Sequence, residues 1–90
     1  MDVSNTIIMK KIENYQLHIE NFKILSNGAD GGHRYIVTEM QYKGSLKRVS
    51  VFLNDKTDEN RLVENAPVTV VGQFTDDGNT DLLISRAKII

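Results

Sequence analysis

The chain has no cysteine and no tryptophan, a single proline, and only three tyrosines and three phenylalanines among 90 residues. Without cysteine there is no disulfide, no thiolate zinc site and no cysteine nucleophile. Charge of one sign is not in excess either: 11 basic residues stand against 12 acidic ones, for a net charge of -1. The field of the whole molecule therefore neither favours nor forbids a polyanion, and a strong nonspecific coat on nucleic acid is not expected. No apolar run approaches the roughly 20 residues a membrane helix needs, and the stretch from Met1 to Lys11 lacks the long apolar core of a signal peptide. A cytoplasmic protein is the expectation. Ninety residues make one domain with a small core.

What is present is β-structure, centred on Gly32 to Leu53. Two runs rich in β-branched and aromatic residues flank the turn Lys43-Gly44-Ser45, which reads as a hairpin. A two-residue period puts Val49, Val51 and Leu53 on one face and Arg48, Ser50 and Phe52 on the other. If the preceding strand buries Ile36, Met40 and Tyr42, its outward residues are His33, Tyr35, Val37, Glu39 and Gln41. The outer surface then mixes rings, a hydroxyl and cations.

Along the rest of the chain, residues 1–14 read as an N-terminal extension and 15–90 as the domain. Tyr15, Leu17 and Ile19 alternate, and the phase then shifts near Glu20-Asn21 before Phe22 and Ile24, as a β-bulge would make it. Ser26 to Gly32 is a glycine loop. It is no phosphate-binding loop, because the lysine, the hydroxyl and the strand-to-helix context of that motif are missing. Asn54 to Asn65 is charged and poor in β-formers, which predicts one short helix, capped by Asp55 or Thr57, with Leu62 and Val63 facing inward. Its oxygens lack the spacing and glycine of a calcium loop. Pro67 opens a strand running to Phe74, apolar enough to be covered on much of both faces. Asp76-Asp77-Gly78-Asn79 is a hairpin turn. In the last strand Leu82 and Ile84 share a face that Ala87 and Ile89 continue after a second slip.

Five strands with a helix between the third and fourth, β-β-β-α-β-β, must hide their edges, and partial closure does that. The expected fold is all-β with one short helix, a five-stranded Greek-key barrel of the oligonucleotide/oligosaccharide-binding (OB) type. The runs Tyr35-Ile36-Val37, Gly44-Ser45, Val49-Ser50-Val51-Phe52, Leu62-Val63-Glu64-Asn65, Val68-Thr69-Val70-Val71-Gly72, Leu82-Leu83-Ile84 and Ala87-Lys88-Ile89-Ile90 carry a resemblance over roughly residues 15–90. The pattern resembles OB domains of anticodon-binding modules, polymerase subunits and single-strand-binding proteins. That resemblance implies a ligand surface on the second and third strands: Tyr35, Val37, Arg48, Ser50 and Phe52, rimmed by His33, Arg34, Lys43 and Lys47.

The expected function is thus binding of single-stranded DNA or RNA, bases stacking on Tyr35 and Phe52 and cations neutralising phosphates. The chain would serve as an accessory component beside a larger replication, repair or translation protein. The alternative is a protein-interaction module, an accessory subunit or homodimer, using the same apolar stripe. His18 and His33 have no third ligand at sensible spacing, so no metal and no cofactor is expected. No nucleophile pairs with a base, so the chain does not read as an enzyme.

Overall fold

A computed structural model describes residues 10–29, 32–76, 78 and 81–90. Six strands and one helical turn follow in the order β1 (Lys10–Ile19), β2 (Lys23–Asn27), β3 (His33–Tyr42), β4 (Ser45–Leu53), α1 (Lys56–Glu59), β5 (Val68–Asp76) and β6 (Asp81–Ile89). They form one sheet in the order β1-β5-β6-β4-β3-β2, curled into an open half-barrel. All pairings are antiparallel except β4 with β6. The two edge strands, β1 and β2, are consecutive in sequence, joined only by the bend at residues 20–22.

That bend corrects the expected count of five strands. The phase shift near Glu20 breaks the strand rather than bulging it, because Phe22 turns into the core, where it is 4% exposed. A bulge does occur in β1, but earlier: the register slips between Ile12 and Tyr15, and Asn14 takes a φ of 56°. Lys10 to Ile12 pair with Asp76 to Phe74, so residues expected at the end of an extension run within the sheet. Residues 1–9 lie outside the described part.

The β3-β4 hairpin forms as its composition demands. Lys43 and Gly44 both have positive φ, 51° and 82°, the two-residue turn whose twist matches the flanking strands. The inward face carries Ile36, Val49, Val51 and Leu53, and these meet Val70, Phe74, Leu82, Ile84 and Ala87 in one core. Phe74 is fully buried, with the ring of Tyr15 stacked 4.6 Å away and that of Tyr42 tilted at 5.5 Å. In β6 the expected slip falls at Arg86, φ 53°, between the buried Ile84 and Ala87. There β6 presses on β5 so closely that a Cβ on Gly72 would lie 2.7 Å from the Ser85 carbonyl oxygen. No residue of β5 is fully exposed, so its expected cover on both faces is observed.

The expected helix over 54–65 contracts to four residues. Asp55 occupies the N-cap position without a side-chain capping bond. Leu62 is buried at 5% exposure, but Val63 is 63% exposed, contrary to expectation. The helical turn ends at Glu59, and the chain continues in turns, Leu62 donating to the Glu59 carbonyl and Ala66 to that of Val63, so the helical spacing that would bring both inward is not kept. In the last turn, Asp76 accepts a hydrogen bond from the Gly78 amide at 3.0 Å, while Asp77 and Asn79 lie outside the described residues. Among the described residues no helix is long and apolar enough to cross a membrane.

Candidate nucleic-acid interface

Strand register sorts the outer face of the curled sheet into rows. Phe52, Tyr35 and Leu25 lie side by side across β4, β3 and β2. The next row runs Leu83, Ser50, Val37 and Lys23, and a third runs Asp81, Arg48 and Glu39. Leu46 and Gln41 close the hairpin end. Tyr35, Val37, Ser50, Phe52 and Arg48 therefore share one surface, as the alternation requires.

The rings of Tyr35 and Phe52 are themselves stacked, centroids 4.7 Å apart and planes 21° from parallel. Both are half-buried, so they cover each other's flanks and keep part of the pair open to solvent. Leu25 and Leu83 beside them are 43% and 36% exposed. The Arg48 guanidinium lies 2.8 Å from the Asp81 carboxylate, with both side chains open to water. That hydrogen bond raises the Arg48 pKa above its already high value.

The four rim residues do not join this face equally. His33 has the outward parity but stands at the strand start, its Nδ1 3.6 Å from the buried Glu59 carboxylate. Arg34 and Lys47 have the parity of the core residues Ile36 and Val49, so they belong to the other side of the sheet. Lys43 is in the hairpin turn, its ammonium 5.4 Å from the centroid of the Tyr42 ring. Lys43 and Lys47 act electrostatically on Asp76 at that end of the half-barrel. The Gly78 amide is the main reason the Asp76 carboxyl titrates below its usual range, and the Tyr42 hydroxyl and the two lysines add to it. Tyr42 is shifted upward, first by burial and then by Asp76.

At the helical end, the helical turn and the segment after it hold β2, β3 and β6, and the bend before β2, by their backbone amides. Glu59 accepts from the Arg34 N–H at 2.9 Å, Asp58 from Ile89 at 3.2 Å, Glu64 from Ile24 at 2.9 Å and Asn65 from Phe22 at 2.9 Å. The Arg34 amide, ahead of His33 and Lys56, draws the Glu59 carboxyl below its ordinary range against the opposing effect of burial. The sequence reading missed this set, together with Leu25, Leu83, Asp81 and Lys23 on the outer face. Parity within β2 could have found Lys23 and Leu25; the place of Asp81 depends on a parallel pairing between strands far apart in the chain.

A hollow of about 680 Å³ opens beside the ring pair, lined by Lys23, Val37, Glu39, Leu46, Arg48 and Glu64 among others. Among the described residues no group of three potential metal-ligating side chains comes together. The chain matches no family model, and no curated protein or solved structure matches it.

Proposed function

We propose that the protein is a non-catalytic OB-fold module that binds single-stranded DNA or RNA through the outer face of β3 and β4. The OB reading is supported by counting β1 and β2 as one bent strand. Five strands then remain, the helical turn falls between the third and fourth, and the third runs parallel to the fifth. The observation that carries the function is the Tyr35-Phe52 pair, two rings stacked on an open sheet face with an arginine two rows further along. A base laid on such a platform gains roughly 1 to 3 kcal/mol by stacking. Arg48 and Lys23 supply nearby charge for phosphates, as part of a larger assembly in the cytoplasm.

Fluorescence anisotropy of labelled oligo-dT and oligo-U at low and moderate salt tests this. Binding that weakens with salt and falls about tenfold in Phe52→Ala supports the proposal; no binding to either strand at low salt overturns it. The exposed Leu25 and Leu83 favour a second reading, a protein partner or a second copy of the chain on the same face. Such an interface would tolerate salt and depend on the leucines, where the nucleic-acid interface weakens with salt.

A further inference from the structure

We infer that the hollow beside the ring pair is a base-reading subsite that selects guanine through the carboxylate of Glu39, an inference that rests on the single-strand reading above. The lining of the hollow mixes the apolar Val37 and the exposed Leu46 with the cations Lys23 and Arg48 and the carboxylates Glu39 and Glu64. Two carboxylates beside two cations leave no net attraction for a phosphate inside it. The part of a nucleotide that suits it is the uncharged base, with the phosphates outside the hollow. Tyr35 and Val37 are two residues apart on one strand face, about 7 Å. A base stacked on the rings therefore has its neighbour over Val37, and Glu39 follows at the same interval.

Glu39 is ready to read that neighbour. Its cross-strand partner is Arg48, but the guanidinium is turned to Asp81 at 2.8 Å. Glu39 is left exposed, with no hydrogen bond or ion pair among the described residues. Glu64 is different, since the Ile24 amide already holds one of its oxygens at 2.9 Å. An ionised carboxylate only accepts hydrogen bonds, and with two free oxygens it accepts a side-by-side pair. Guanine alone presents two adjacent N–H donors, at N1 and at the 2-amino group. Adenine and cytosine put a ring-nitrogen acceptor beside their amino group, and thymine and uracil flank their single N–H with carbonyls. Against each of these, one carboxylate oxygen meets another acceptor, and the mispairing is penalised.

The test is anisotropy of the full chain with a short labelled oligo-dT and with the same strand carrying one central dG, dA, dC or deoxyinosine, the last lacking the 2-amino group. For wild type, dG should bind about tenfold tighter than all-dT, within the range of a good bidentate contact, and deoxyinosine should lose most of that gain. Glu39→Gln should lose the dG preference and keep its affinity for all-dT. Equal binding of dG and dT by wild type, with sensitivity to Phe52→Ala retained, overturns the guanine site and leaves the single-strand function standing. A dG preference that survives in Glu39→Gln, or is undiminished with deoxyinosine, also overturns it. Failure to bind any strand overturns both readings together.

Discussion

Two regions of this small sheet use their polar side chains in opposite ways. At the helical end, Asp58, Glu59, Glu64 and Asn65 each accept a hydrogen bond from a backbone amide 31, 25, 40 and 43 residues away in sequence, three of them in strands and the fourth, Phe22, in the bend before β2. On the outer face, Arg48 pairs with Asp81, and Glu39 has no partner among the described residues. The first region completes hydrogen bonds that an open sheet leaves unmade at its edges and ends, which protects edge strand β2 at Ile24 and the bend before it at Phe22. The second keeps rings and charges available. Changes in the first should therefore appear as lost stability, and changes in the second as altered binding at nearly constant stability.

The sharpest way to break this contrast is Asn65→Ala. The side chain accepts the amide of the buried Phe22, and the backbone sits at φ 64°, which alanine resists. The unpaired amide and the left-handed backbone together should cost about 3 kcal/mol in chemical denaturation. Asn65→Gly relieves the backbone part alone and should recover about 1 kcal/mol of that. If Asn65→Ala is as stable as wild type, the clamp is not structural.

Glu59→Ala comes next, at about 2 kcal/mol, because it leaves the Arg34 amide without its acceptor. This contribution is also pH-dependent. The folded carboxyl titrates below its unfolded value, so the stabilisation is complete above the ordinary glutamate range and is lost as pH falls through the depressed folded value. Denaturation curves from neutral to acidic pH should show the wild-type advantage over Glu59→Ala shrinking on acidification. An advantage that grows instead would contradict the assignment.

The two regions were not equally legible in the sequence. The outer face follows from local alternation: Tyr35, Val37, Ser50 and Phe52 were placed together because a strand's period is two, and the slip before Ala87 was visible for the same reason. That rule, applied strictly, also removes Arg34 and Lys47 from the face, since they share the parity of Ile36 and Val49. The clamp could not be read this way. In sequence, Asp58, Glu59, Glu64 and Asn65 look like a solvated charged stretch, and only the curl of the sheet brings the Phe22, Ile24, Arg34 and Ile89 amides to them. The broken first strand escaped for a related reason. A phase shift at Glu20 signals an irregularity, but whether it is a bulge or a corner depends on where Phe22 finds its core.

Phe52→Ala carries the contrast to the face. The ring is half-buried against Tyr35, and its removal takes away half of the proposed stacking platform. Affinity for oligo-dT should fall about tenfold, or about 1.4 kcal/mol, near the lower end of what one stacked base contributes. A thermal melt should move less than that of Asn65→Ala. A large loss of stability with unchanged binding would place Phe52 with the structural residues.

The smallest effect is expected from Asp81→Asn, and it runs in the other direction. Arg48 and Asp81 are 61% and 44% exposed, and an ion pair that open to water contributes little to folding, so stability should stay near that of wild type. Binding is another matter. A phosphate reaching Arg48 must displace a carboxylate already at 2.8 Å, so one charge contact is exchanged for another with little gain. With asparagine there, Arg48 is free to take the phosphate. Oligo-dT should bind severalfold tighter, and the slope of log affinity against log salt should steepen by about 0.7, the increment for one phosphate on a single strand. The freed guanidinium also lies in register with Glu39 and can occupy it, so any preference for guanine should weaken as overall affinity rises. Tighter binding with reduced selectivity would assign Asp81 a role in both, restraining Arg48 and keeping Glu39 open. Weaker binding to oligo-dT would mean that Asp81 positions Arg48 for the strand and does not compete with it.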